Sequence, residues 1–435
     1  MKIETDIVVI GSGAGGATLA MDLAGAGRDV VLVEKGGDAT WPLGKPLSLL
    51  TLYDHSAMPP FFPTTKEGMV ALRGICTGGC TTIFGGNACI PPPWIRQECG
   101  MDLDDDVQAA IRETGAGVPP EDTIEKWSTA VRFREAAGDM GLEVEPLMKF
   151  LYPGKCLPEC DHCAFGCERG ARWSAREFVK KAAQKGARIL VQTEVTQIII
   201  DRGRAVGVKA QGRDGQVDIL ADKVVCSAGG LGTPVILQRS GIREAGKGLS
   251  VDPSGGVGGI TKQSWGPGGT FSIGYEKEME TGGFMISNAG GGIVSWIRLA
   301  LKPVDTILHP GTFSKVLALF VKIADSSTGS VHEDGSVEKP ITARDEQRMN
   351  RGMELCERIL VRAGCDPNSL FRTPLNRSVA SHYCGTAAID RVVDRNLETR
   401  ITNLFVCDTS VLPRAPGRPP ALTAVAMAKW FSRRL

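Results

Sequence analysis

Two groups of residues carry the spacing that chemistry needs. Gly11, Gly13 and Gly16 form G-x-G-x-x-G directly after the apolar run of residues 3–10. The first glycine permits a tight turn, the second lets backbone approach a pyrophosphate, and the third lets a helix pack closely on a strand. A helix opening at this turn offers free N–H groups and a positive dipole end to phosphates. Glu34 closes a second apolar run, Asp29 to Val33. An acid in that place binds the hydroxyl pair of a ribose. Glu in place of Arg or Lys argues against a 2′-phosphate, and does not separate FAD from NAD.

The second group is Cys156, Cys160, Cys163 and Cys167, spaced C-x3-C-x2-C-x3-C. Short turns bring thiolates at such spacing toward one metal centre. Three readings stand side by side: a [4Fe–4S] cluster, a structural zinc, and disulfides or inert thiols. His162, inside the loop, is a further candidate ligand. The other nine of the 13 cysteines are scattered. Cys76, Cys80 and Cys89 read as small packing residues, and Cys226, Cys356, Cys365 and Cys407 as core. Cys384 lies where it could line a site around His382.

These residues must be positioned by a chain of 435 residues, long enough for two to three domains. Strand, glycine turn, helix and strand over residues 3–34 make a βαβ unit. Residues 36–70 read as irregular, and 71–90 as a loop rich in glycine and threonine. Helices are expected at 121–140, 174–185, 342–363 and from Ala421 onward. Thr342 followed by Asp345 marks a helix start. Strands are expected at 188–200, 204–210 and 217–226, with short β pieces such as 271–275 and 283–287 between glycine runs, and at 403–408.

Composition narrows the function classes. Hydrophobic residues are 42% and charged residues 23%, as in ordinary globular chains. Fifty basic residues against 49 acidic ones give a net charge of +1, no basis for binding nucleic acid or an anionic membrane surface. No run approaches the ~18 apolar residues of a membrane span, and Glu4 and Asp6 precede the first apolar run where a secretory signal would be basic. The expected location is the cytoplasm.

Residues 7–37 resemble the FAD-binding start of the glucose–methanol–choline (GMC) oxidoreductases. Residues 223–242 (KVVCSAGGLGTPVILQRSGI) resemble that family's second glycine-containing signature, and 382–427 its C-terminal flavin and catalytic segment. The stretch LRGICTGGCTTIFGGN is similar to its glycine loop beside the flavin. The chain is shorter than most members, with the difference falling in 246–340. The resemblance implies an α/β fold with an α+β substrate part. A Rossmann-like FAD-binding domain, discontinuous over 1–100, 186–245 and 376–435, would be joined to a smaller β-sheet-plus-helix substrate domain. That second domain would take 101–185 and 246–375, with the cysteine cluster at 156–167.

On the same resemblance FAD is the cofactor. Gly11, Gly13, Gly16 and Glu34 would hold its ADP half, and Val195 would contact the adenine. Ala228 and Gly229 would pass near the pyrophosphate, with Asp408 by the pyrophosphate or ribityl chain. Gly78, Gly79 and Asn87 would lie near the isoalloxazine. His382, one of five histidines and set in HYCGT, matches the family's H-x-x-G-T motif. In the family this histidine faces the flavin and the substrate hydroxyl. A side chain that titrates near neutrality suits removal of a hydroxyl proton, while flavin takes the hydride.

One position departs from the family. The slot usually filled by Asn or His just before a proline is Pro419, which has no side-chain donor or acceptor. His382 then works alone or with another group, Tyr383 being one candidate. The expected activity is an FAD-dependent dehydrogenase oxidising a hydroxyl of a small or medium organic substrate. Electrons would pass to a non-oxygen acceptor, an electron-carrier protein or a quinone, through an iron–sulfur cluster if one is present. The alternatives are FAD-dependent oxidation or reduction of a C–C bond, and a non-catalytic electron-transfer flavoprotein.

Overall fold

The apolar run at the start of the chain forms β1 (Lys2–Ile10), whose last four residues are wholly buried. A strand so apolar over consecutive positions belongs inside a parallel sheet covered on both faces. After the glycine turn come α1 (Ala14–Gly25) and β2 (Val30–Val33), parallel to β1 with Ile7 opposite Val30. In the computed structural model the described residues are 2–38, 43–45, 47–54, 62–157, 160, 163–265, 269, 271–290 and 314–435. His55, His162, His309 and Trp296 lie outside them.

The first sheet runs in the order Arg188–Leu190, β2, β1, Gly215–Cys226, Arg204–Gly212, Glu194–Asp201, with Leu404–Val406 also pairing with Gly215–Cys226. Its four strands from Arg188–Leu190 to Gly215–Cys226 are parallel, as is Leu404–Val406. The last two form an antiparallel extension. Leu19, Ala20 and Leu23 of α1 are buried, and α1 packs against the helices Arg176–Gln184 and Ala421–Ser432. The chain thus returns twice, near 225 and near 405, to the strand beside β1.

A second, mixed sheet is built around Ser254–Ile260, Val316–Ile323 and Phe284–Asn288, paired antiparallel. The helix Ala343–Arg362 packs over it. The Thr342 hydroxyl accepts from Asp345 N while the Asp345 carboxylate accepts from Thr342 N, a reciprocal cap that fixes the helix start. The glycines of Ser254–Ile260 are packing residues. A Cβ on Gly255 would stand 2.5 Å from Met353 Cε, and one on Gly258 2.3 Å from Phe371 Cζ.

Two features differ from the sequence expectation. The helix expected over 121–140 is broken into Glu121–Ile124 and Ser128–Gly138. Trp127 leaves helical backbone there, and its ring lies so close to Gly269 that a Cβ on that glycine would be 2.2 Å away. The sequence boundaries put Asp104–Thr114 and Arg176–Gln184 with the second domain. Their buried Val107, Ala110, Phe178 and Val179 join the core of the first sheet, while the second core gathers Ile124, Phe133, Val257, Ile286, Val321 and Ile359.

Candidate functional site

The carboxyl ends of the parallel strands converge where β1 meets Gly215–Cys226 and Leu404–Val406, the place where open α/β sheets take ligands. Gly11 has φ +98°, and a Cβ there would lie 2.4 Å from Ser227 O. A Cβ on Gly16 would lie 1.9 Å from Gly11 O. Both positions therefore exclude any side chain. Gly13 is different: a Cβ on it would meet no atom within 4 Å, and no side chain caps the α1 N-terminus. The second glycine of the motif thus keeps open a face on which the first N–H groups of α1 meet a ligand, which fits the diphosphate of FAD.

Glu34 is buried at the end of β2. Its Oε2 accepts from Ser12 N at 3.0 Å and Ser12 Oγ at 2.6 Å, and its Oε1 from Gly36 N at 2.7 Å. Burial raises its carboxyl above the ordinary range, opposed by these hydrogen bonds. Glu34 O accepts from Thr193 N at 2.9 Å. Val195, buried two residues on in Glu194–Asp201, is thereby placed on the Glu34 side of the sheet.

Gly78 N donates to Ser12 Oγ at 3.0 Å, and a Cβ on Gly79 would be 3.1 Å from Gly13 Cα. These two glycines seat the 71–90 loop on the first glycine turn. Asn87 Nδ2 donates to Phe271 O at 2.9 Å, which ties the same loop to the second sheet. Buried Lys149 donates to Gly85 O at 2.8 Å, and desolvation brings its ammonium down to about 8.

Asp408 follows Leu404–Val406. Its Oδ2 accepts from Gly229 N at 2.9 Å and Thr233 Oγ1 at 2.6 Å, and its Oδ1 from Ser410 N at 2.8 Å. It therefore binds the N-terminus of the helix Gly229–Arg239, next to Ala228, and burial raises its carboxyl. Ser227 Oγ donates to Cys407 O at 2.7 Å, holding the two returns of the chain together.

His382 comes from the segment after the short strand Val379–Ala380. Cys384 exchanges backbone hydrogen bonds with Ser250, N to O at 3.0 and 3.1 Å, so residues 250–252 and 382–384 run antiparallel. Gly385, with φ +87°, permits that approach: a Cβ there would be 2.1 Å from Gly248 O. His382 Nδ1 is buried and lies 3.6 Å from Asp252 Oδ2, and neither atom has a hydrogen-bond partner. The imidazole retains 19% exposure, which with Nδ1 buried belongs to the rest of the ring. Burial, with the Lys322 ammonium, holds its pKa well below the ordinary value, so the ring is neutral at neutral pH.

Tyr383 is not free to replace the residue missing at Pro419. Its hydroxyl is engaged with Ala380 O at 2.8 Å and Leu72 O at 3.0 Å. Cys384 is buried and part of the first core. Asp252, whose carboxylate faces His382, carries no signal in the sequence. No local motif surrounds it, and its importance comes from a partner 130 positions away in the chain.

None of the four clustered cysteines is in a disulfide. Burial raises the Cys156 thiol to about 11, with Cys163, Cys160 and Cys167 adding to the rise. Among the described residues, no group of three or more His, Cys, Asp or Glu is disposed to hold a metal ion. Of the aromatic residues in the second domain, Phe284 is buried in its core and Phe271 packs on Phe320 with centroids 5.2 Å apart.

The fold and the glycine-lined strand ends define an FAD-dependent oxidoreductase with a Rossmann-like α/β architecture. The chain belongs to the GMC oxidoreductase family, whose two models match residues 5–258 and 325–428. It is 24% identical to the long-chain-alcohol oxidase FAO3 of Arabidopsis thaliana, over 100% of this chain and 68% of that one. It is 25% identical to an uncharacterised protein of Methanocaldococcus jannaschii, over 99% of both chains. Its fold is that of pyridoxine 4-oxidase from Mesorbium loti, with TM-score 0.76, 18% identity and 99% of each chain covered. Formate oxidase of Aspergillus oryzae superposes with TM-score 0.73 and 16% identity, over 99% of this chain and 98% of that one. No helix among the described residues is long and apolar enough to cross a membrane.

Proposed function

We propose that this enzyme oxidises a hydroxyl group of a small or medium organic substrate, with His382 as the proton acceptor. The observation that carries the reading is a part-exposed imidazole in an H-x-x-G-T segment held on the turn after Leu404–Val406, where Thr409 Oγ1 donates to Tyr383 O and Ala387 N to Ser410 O, both at 2.9 Å. The FAD cradle would consist of Gly11, Gly13, Gly16 and Glu34 toward the adenosine, with Val195 near the adenine. Ala228, Gly229 and Asp408 would lie along the diphosphate and ribityl chain, and Gly78, Gly79 and Asn87 along the rest. Bound FAD supplies the hydride acceptor. The chain's own part is to hold the substrate hydroxyl against His382 and take its proton as the carbonyl forms. The relatives named as alcohol and pyridoxine oxidases favour CH–OH chemistry over a C–C bond or a purely electron-carrying role.

The test is anaerobic mixing of the flavin-loaded enzyme with a panel of straight-chain and benzylic alcohols. Loss of the flavin absorbance with one carbonyl product per flavin supports the reading. Full reduction by dithionite and none by any alcohol ends it.

The finer part of the reading concerns the electrons. We read the acceptor as an electron-carrier protein or quinone, with the cysteine segment as the place where an iron–sulfur centre would sit and the cytoplasm as the location. Its support is the sequence spacing of Cys156, Cys160, Cys163 and Cys167, none of them in a disulfide. The described residues do not form a ready ligand set, so no electron step is derived through such a centre.

A further inference from the structure

We propose that Asp252 is the positioning residue of His382. Its carboxylate accepts the Nδ1–H of the imidazole, fixes the ring with Nε2 available to the substrate hydroxyl, and balances the charge that arrives with the substrate's proton. This rests on the reading of His382 as proton acceptor. It supplies the second group that Pro419 cannot.

Four independent observations converge on this residue. Asp252 and His382 lie two residues either side of the antiparallel bridge between Ser250 and Cys384, and His382 N donates to Val251 O at 3.3 Å. Asp252 Oδ2 and His382 Nδ1 are both buried, both without a partner, and 3.6 Å apart. A donor and an acceptor left so in a core are costly unless they meet, and catalytic hydrogen bonds are often long until substrate is bound. Asp252 also has φ +47°, in the left-handed region, and strain of this sort gathers at functional sites. It is held there by Asp325, whose Oδ1 accepts from Asp252 N at 2.8 Å and which pairs with Lys339 at 3.0 Å. Finally, Asp252 Oδ1 accepts from Gly417 N at 3.0 Å. The loop that carries Pro419 is therefore anchored on the carboxylate that faces His382.

The proton and electron count is simple. The substrate O–H bond breaks, and its proton goes to Nε2. The adjacent C–H bond breaks with its electron pair going to oxidised flavin, and a carbonyl forms. The Nδ1–H stays on the ring, hydrogen-bonded to Asp252. The charged groups around the pair are Lys322 from the strand Val316–Ile323, Asp325 with its partner Lys339, and Arg418 from the Pro419 loop. Burial raises the Asp252 carboxyl well above the ordinary range, opposed by Lys322 and Arg418, and lowers His382. On this proposal the contact makes the two groups titrate as one pair. The pair serves as a base once it has released its shared proton, so the rate rises with pH through the pair's apparent pKa. Without the carboxyl, the imidazole titrates alone and lower.

The experiment compares the parent holoenzyme, Asp252→Asn and His382→Ala. Asn tolerates the left-handed backbone and its Oδ1 still accepts from Gly417 N, so the fold and bound flavin are retained. With the alcohol that reduces the parent fastest, Asp252→Asn should lower the rate of flavin reduction about tenfold or more. The rising limb of its pH profile should move about one pH unit or more toward acid. A structural role alone would not move that limb. Parental rate and pH limb in Asp252→Asn, with His382→Ala inactive, overturn the role of Asp252 and spare that of His382. Parental rate in His382→Ala overturns the underlying reading instead. The ring nitrogens of 15N-histidine-labelled holoenzyme give a substrate-free check, the His382 signal being the one lost in His382→Ala. Its titration should move to lower pH in Asp252→Asn, and an unmoved titration refutes the contact.

Discussion

Asp252 Oδ2 lies 3.6 Å from His382 Nδ1, across an antiparallel bridge in which Ser250 pairs with Cys384. The two residues are 130 positions apart in the chain, yet the bridge brings their side chains together. The same aspartate holds Gly417 N. One carboxylate therefore joins the histidine segment to the loop that carries Pro419.

The two open-turn glycines should respond differently to alanine. Gly16→Ala forces a Cβ to within 1.9 Å of Gly11 O, and should lower the thermal stability of the flavin-free chain as well as flavin content. Gly13→Ala places its Cβ where no protein atom lies within 4 Å. It should leave the flavin-free melting temperature unchanged and cut flavin content sharply. Melting curves with and without FAD distinguish the two.

Asp408→Ala removes the acceptor of Gly229 N, Thr233 Oγ1 and Ser410 N. Each donor left unpartnered costs about 1–3 kcal/mol where water cannot reach it. Denaturant unfolding should show that loss in the flavin-free protein, and equilibrium dialysis should show weaker FAD binding, because the displaced N–H groups belong to the helix beside Gly229.

Gly258→Ala should destabilise the second domain by about 1–3 kcal/mol through overpacking, since its Cβ would stand 2.3 Å from Phe371 Cζ. Phe371→Leu in the same chain should restore part of the loss. A double-mutant cycle by chemical denaturation measures the coupling; strict additivity would refute the contact.

Iron analysis of anaerobically purified enzyme tests the relay reading: iron, with visible absorption beyond the flavin bands that is lost in Cys163→Ser, supports it. Flavin bands alone, with no iron by elemental analysis, end the relay reading and leave the hydroxyl oxidation standing.

What the sequence disclosed was what is local. The turn Gly11–Gly16, the acid Glu34 and the cap Thr342–Asp345 each act within one βαβ unit or one helix turn, so spacing alone exposes them. The family resemblance added Asp408 and His382 from the far end of the chain. The glycines of Ser254–Ile260 could not be told apart from ligand-binding ones by sequence, because their reason is the side chains of Met353 and Phe371, which only tertiary packing brings near. Asp252 was equally hidden: a single acid between Val251 and Pro253 acquires a role only when a strand register selects its partner. The break at Trp127 is equally hidden, since its ring packs on Gly269, 142 positions further along the chain.

Stopped-flow flavin reduction of the parent and of His382→Ala, under anaerobic conditions with the same alcohol, tests the central claim most directly. The account predicts full flavin occupancy in both, and a rate lower in the variant by about 10²–10⁴-fold. Equal rates in the two proteins would contradict it.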